Sequence, residues 1–171
     1  VILYPTDTIW GIGCDATNAE AVKRVYEIKK RSDSKAMLVL VDNAVKVDFY
    51  VDGAPEVAFD LIELTNKPLT IIYDGAKNLA PNLIAEDGSV GIRVTSEEFS
   101  NQLCYRFRKA IVSTSANVSG EPSPATFGEI SDEIKQAVDY IVQSRQQENK
   151  ASQSSSIIKL GKGGQVKVIR E

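Results

Sequence analysis

Residues 37–41 read MLVLV, an apolar run with no polar interruption. A strand with one wet face alternates apolar and polar side chains, so an unbroken run fits a strand covered on both faces. That requirement points to an α/β arrangement. The rest of the chain supplies the elements. ILYP (2–5) reads as a short strand stopped by Pro5, and TDTIWGIGCDA follows with two glycines. TNAE (17–20) has the Thr-x-x-Glu form of a capping box. It opens a helix to about Arg31, with Ala21, Val22, Val25 and Ile28 on one side. A second helix starts near Pro55, with Val57, Leu61 and Leu64 facing inward. LTIIYD (69–74), SVGIRVT (89–95), AIVST (110–114) and YIVQS (140–144) are strands. Ser96 caps a helix bearing Phe99, Leu103 and Phe107. TFGE (126–129) offers another capping box before a short helix, and residues 145–154, RQQENKASQS, read as a polar, mobile stretch. SIIKL and QVKVIR form a hairpin around GKGG (161–164). The expectation is one α/β domain over residues 1–171, a twisted, open, mixed sheet with flanking helices. The start at Val1-Ile2-Leu3, without methionine, points to a short native segment preceding it.

Bulk properties narrow the chemistry. Apolar residues make up 43% and charged ones 25% of 171 residues, with a net charge of −3, so any anion site must be local. No run approaches the roughly 18–20 apolar residues of a membrane span. The two cysteines, Cys14 and Cys104, have no metal or framework spacing and read as reduced core thiols of a cytoplasmic protein. The chain contains no histidine. That excludes Ser-His-Asp and Cys-His catalysis and leaves lysine, arginine, carboxylates and hydroxyls. GxxxxGK[ST] and GxGxxG are absent as well, so a nucleotide would be held by side-chain cations.

Four clusters stand out. In IKKRSDSK (28–35), Lys29, Lys30, Arg31 and Lys35 crowd a helix end, where they complement the helix dipole or sit at a sheet edge facing a ligand. Arg93, inside an apolar strand, is costly to bury without a partner. A salt bridge or a bound anion would each supply one. STSANVSG (113–120) packs four hydroxyls and an amide into eight positions after an apolar pair, with Ser115 and Asn117 suited to orienting a polar group. In PTDTIWG (5–11), Thr6, Asp7 and Thr8 fit an Asx-type turn beside a packed Trp10. Ser155, Ser156 and Arg170 complete a polar rim from the far end of the chain.

YPTDTIWGIGCDA, EIKKR, MLVLV, PLT, VGIRVT, STSANVSGEPSP, SSIIKL and VIR occur in that order. This series resembles the YrdC-type threonylcarbamoyl-adenylate synthases, from Tyr4 to Arg170. The resemblance implies a YrdC-like fold and a reaction of ATP, with magnesium, bicarbonate or CO2, and L-threonine. Threonylcarbamoyl-AMP and pyrophosphate would be the products. It implies that the product passes to a tRNA-modifying transferase complex, and that direct RNA contact is open. By motif, Lys29 and Arg31 match the family's Lys-x-Arg, and Ser115 and Asn117 its Ser-x-Asn. Thr8 and Ser155 match threonine-facing positions. Arg93 matches an arginine expected on the threonine carboxylate. Lys35, Ser89 and Arg170 fall where nucleotide contacts lie. Lys29→Ala is expected to abolish synthesis while the fold melts normally. Ser32 after the Lys-x-Arg, Trp10, and Asn66-Lys67-Pro68 depart from the usual pattern. The alternative is a non-catalytic module that binds double-stranded RNA or tRNA through the same cations, against which the acidic net charge counts. A carbamoyl-transfer relative is a third reading, disfavoured by a lone domain.

Overall fold

A computed structural model describes residues 1–31, 37–149 and 152–171. Its strands are β1 (Ile2–Tyr4), β2 (Gly11–Gly13), β3 (Leu38–Val41), β4 (Leu69–Tyr73), β5 (Val90–Val94), β6 (Ile111–Ser115), β7 (Tyr140–Ile141), β8 (Ser156–Leu160) and β9 (Val166–Arg170). They form one mixed sheet in the order β7-β1-β2-β6-β3-β5-β4-β8-β9. The helices are α1 (Ala19–Lys29), α2 (Val47–Tyr50), α3 (Glu56–Leu64), α4 (Glu98–Phe107) and α5 (Asp132–Ala137). α4 packs on β3, whose Val39, Leu40 and Val41 are buried. The α/β domain expected from sequence is what forms. No helix among the described residues is long and apolar enough to cross a membrane. Cys14 and Cys104 are free and buried, and burial pushes both thiols up to about 12.

Several local expectations are corrected. β2 has no hydrophobic signature, because two of its three residues are glycine, and the sequence assigns no strand there. Close packing accounts for the glycines. A Cβ on Gly13 would stand 2.5 Å from Tyr4 Cε1 and 2.6 Å from the Val112 carbonyl oxygen. Asn18, not Thr17, caps α1, its side chain accepting from the Ala21 amide, while Thr17 bonds Asp15. Glu97, not Ser96, caps α4 through the Phe99 and Ser100 amides. Ser131 caps α5, whereas Thr126 makes no side-chain cap to the short turn behind it. α3 buries Ala58 and leaves Val57 and Leu64 exposed, the latter at 83%. α4 buries Ser100 and Cys104 and leaves Phe107 exposed. Leu61, Phe99 and Leu103 pack half-buried against the core as expected, while the most deeply buried positions of the two helices are small residues. The 145–148 turn is pinned, since Arg145 pairs with Glu97 at 2.8 Å and Glu148 at 3.0 Å.

Tyr4 is fully buried, and its hydroxyl donates to the same Val112 carbonyl at 3.0 Å, so neither neighbour of Gly13 can move aside. Gly13→Ala should lower stability by about 1–3 kcal/mol, as overpacking of a tight core does. Urea melts check this; an unchanged midpoint would show that β1 and β2 can separate.

Candidate active site

Strand register brings distant residues into one row. Arg93 on β5 lies opposite Thr70 on β4, Thr70 opposite Ile157 on β8, and Ile157 opposite Arg170 on β9. Residues directly across a sheet share a face. On the other side, Gly11 of β2 lies opposite Ser115, and Leu38 of β3 opposite both Gly91 and Ser113. Over this face opens a cavity of about 260 Å³. Thr8, Arg31, Arg93, Ser115, Ser155 and Arg170 line it, with Trp10 and Leu38 as apolar wall. Among the described residues that line it there is no carboxylate. A larger groove of about 740 Å³ along α4 holds none of the predicted site residues.

Arg93 is 2% exposed and held from every side. Its Nε donates to Asp7 Oδ1 at 3.0 Å, and Nη2 lies 3.0 Å from the same oxygen. Nη1 donates to Thr70 Oγ1 (3.3 Å) and Ser155 Oγ (3.2 Å), and Nη2 to Thr8 Oγ1 (3.3 Å). The partner of this buried arginine is therefore Asp7, a residue that sequence reading placed only in a turn. That turn is built by Thr6, whose hydroxyl accepts from the Thr8 amide and donates to the Ile9 carbonyl. It is a hydroxyl turn, and Asp7 is left free to reach Arg93. Arg170 donates through Nε and Nη2 to the Ser155 carbonyl at 2.9 and 2.7 Å, fixing the strand entry beside Arg93.

Lys29 does not line the cavity. It is 1% exposed, the last residue of α1, before Lys30 turns the chain at φ 51°. Its ammonium donates to the Ser115 carbonyl (2.6 Å) and the Asn117 carbonyl (2.9 Å), with Ser115 Oγ and Asn117 Oδ1 at 3.4 and 3.5 Å. Ser119 N returns a bond to the Lys29 carbonyl at 2.9 Å. Burial, with the Arg31 charge adding to it, pushes this ammonium down to about 8. Asn117 is turned inward too, its Nδ2 donating to the Val118 and Glu121 carbonyls. The dense polar run 113–120 thus holds a lysine. The sequence carried a signal for this: Val22, Val25, Tyr26 and Lys29 follow the i, i+3, i+4, i+7 spacing of one helix face, and all four are buried.

The remaining predicted residues divide. Thr8, Arg31, Ser115, Ser155 and Arg170 meet at the cavity with Arg93; Lys29 and Asn117 stand behind Ser115. Ser89 does not reach the lining. Its hydroxyl donates to Asp87 at 2.5 Å, the leading cause of that carboxyl being held near 2. Lys35 lies outside the described residues.

The chain is similar to known proteins in sequence and in fold. A threonylcarbamoyl-AMP synthase of Pseudoalteromonas translucida is 33% identical over 145 residues, 83% of this chain and 78% of the relative. E. coli YciO superposes with a TM-score of 0.84 at 25% identity, over all of this chain and 82% of that one. P. abyssi Sua5, crystallised with L-threonine, shares the fold with a TM-score of 0.82 at 22% identity over 93% of this chain. Of that longer protein the chain spans 46%. The family model described as telomere recombination, the Sua5/YciO/YrdC domain, matches residues 1–171. The chain therefore belongs to the Sua5/YciO/YrdC family.

Proposed function

We propose that the chain is a threonylcarbamoyl-AMP synthase, using ATP, bicarbonate or CO2, and L-threonine. The observation that carries this reading is the meeting of Arg31, Arg93 and Arg170 with serine and threonine hydroxyls over one cavity. ATP, a carbamate and an amino-acid carboxylate are all anionic, and such a cavity favours them. Its volume falls just below the roughly 300–1,000 Å³ of typical ligand pockets. It suits an amino acid and the reacting phosphate, with the rest of the nucleotide extending outward. The curated relative at 33% identity supports the same activity.

In the reaction, a carbamate oxygen attacks the α-phosphorus, the bond to the bridging oxygen breaks, and pyrophosphate leaves with the electron pair. No proton relay through histidine is required. Arg31 neutralises charge on the phosphate oxygens, and Ser115 orients the α-phosphate from the loop that Lys29 grips. Lys29 and Asn117 act through that loop, which costs no reorganisation as charge moves. Magnesium would accompany ATP and neutralise phosphate charge, and the hydroxyl oxygens of the wall, Ser115 among them, would suit it as hard donors. The product passes to a tRNA-modifying transferase. The RNA-module reading has less support, because Lys29 and Arg93 are buried and cannot serve as an outer phosphate track.

Pyrophosphate release should require ATP, bicarbonate and L-threonine together; release independent of L-threonine would overturn the reading. Arg31→Ala should lower turnover about 100-fold or more, by analogy with removing one preorganised donor. A variant with near-wild-type turnover would remove Arg31 from the site.

Lys29 carries a different expectation from the normal melting that its motif position alone suggests. Lys29→Met leaves buried Ser115 and Asn117 oxygens without their donor. It should lose both synthesis and about 1–3 kcal/mol of stability. The pH dependence has a definite sign. The folded lysine titrates at about 8, against about 10.4 in an unfolded chain. Between these values the unfolded state binds the extra proton, so rising pH favours folding through this group. The urea midpoint of the wild type should therefore gain on that of Lys29→Met between about pH 8 and pH 10. A constant difference would place the lysine in water.

A further inference from the structure

Ser155 sits on the cavity wall and is 2% exposed. Its hydroxyl stands 2.8 Å from Thr70 Oγ1, and both oxygens accept from Arg93 Nη1. A hydroxyl has one proton to give. Thr70 is buried and absent from the cavity lining, and Ser155 Oγ is the one acceptor for its proton among the described residues. That fixes the direction of the pair: Thr70 donates and Ser155 accepts. Ser155 then receives two donors, and its own proton has no acceptor among the described residues. It is a buried donor on the wall of a cavity, and a buried donor without a partner is costly. Behind it, Asp7 holds Nε and Nη2 of Arg93, so every guanidinium nitrogen is engaged by the protein.

We propose that Thr70 is a positioning residue for the amino-acid substrate: by donating to Ser155 it aims the Ser155 hydroxyl proton into the cavity, where that proton receives a carboxylate oxygen of the substrate. Arg93 polarises both hydroxyls, and its charge reaches the ligand through them. Sheet register builds the arrangement. Thr70 pairs with Arg93 on one side and Ile157 on the other, and Leu69 pairs with Ser156, so Ser155 arrives at the end of the row. The inference rests on the synthase reading, and it adds the group that orients the amino acid.

Thr70→Val in the full chain keeps the shape and removes the hydroxyl. The KM for L-threonine should rise about tenfold, the size of losing one good hydrogen bond to a charged group. The KM for ATP and kcat should stay within about twofold, and Thr70→Ser should restore the L-threonine KM. Calorimetric titration with L-threonine and with its uncharged amide gives a second readout. The wild type should prefer the carboxylate, and Thr70→Val should narrow that preference. An unchanged KM, or an undiminished preference for the carboxylate, overturns the proposal; so does equal loss for acid and amide, which marks a packing role. If Thr70→Val fails to fold, Ser155→Ala replaces it, with the same narrowing expected and an unchanged preference decisive against. A wild type that makes no threonylcarbamoyl-AMP sinks the synthase reading; a working wild type beside an indifferent Thr70→Val sinks only the positioning role.

Discussion

A lysine ammonium shut away from water, with carbonyl and hydroxyl oxygens in place of a carboxylate, sets the terms for the rest of this molecule. Burying such a charge is expensive, and the expense is offset only if several oxygens converge on it. Lys29 obtains that convergence from the 115–117 backbone and side chains. The loop is in turn closed by Asn117 bonds to Val118 and Glu121. The grip is mutual: the loop shields the cation, and the cation forbids other loop conformations. Ser115, the residue of this loop that meets the cavity, inherits a fixed position from a group that never touches the cavity itself.

Arg93 follows the opposite rule, and the difference is instructive. It has a carboxylate partner, Asp7, so the pair is near neutral and the sheet can bury it. At the cavity Arg93 also polarises the Thr8 and Ser155 hydroxyls, with Thr70 behind them. The chain as a whole is acidic, at −3. The described lining of the site nonetheless carries Arg31 and Arg170, while Asp7 stands behind Arg93 and outside that lining. Net charge therefore said little about what this surface attracts; placement within a few ångströms decides it.

The legible parts of the sequence were those governed by short-range pattern. MLVLV, LTIIY and VGIRV are strands because their apolar runs can be buried only in a covered sheet. The GKGG hairpin is legible because turn chemistry is local. The misread parts were decided by neighbours remote in sequence. β2 is a strand because Gly11 and Gly13 let Tyr4 and β6 approach, which no property of the segment itself announces. α3 and α4 place small residues at their deepest positions, with Leu61, Phe99 and Leu103 half-buried beside them, a depth that apolar spacing alone does not rank. Of the site, residue types and order were readable, and their division of labour was not. Lys29 and Arg31 look alike in a motif, yet one lies under a loop and the other on the cavity wall. The spacing of Lys29 with Val22, Val25 and Tyr26 was the local clue to that split.

A site without histidine has to obtain its rate from placement, and the architecture shows how placement is secured. Arg93, Thr70, Ile157 and Arg170 come from four strands and are aligned by backbone hydrogen bonds, not by flexible side chains. A row set by register cannot slip by one residue without turning every member to the other face. Arg170 locks the end of the row by binding the Ser155 carbonyl, so the serine hydroxyl and the strand that carries it are fixed by separate bonds. Donors held this way need not reorient as negative charge develops on an attacking or leaving oxygen, which is the condition under which electrostatic stabilisation is largest. The many bonds that tie each cation to the protein therefore favour anion chemistry here, since they leave the ligand-facing hydroxyls with one direction in which to donate.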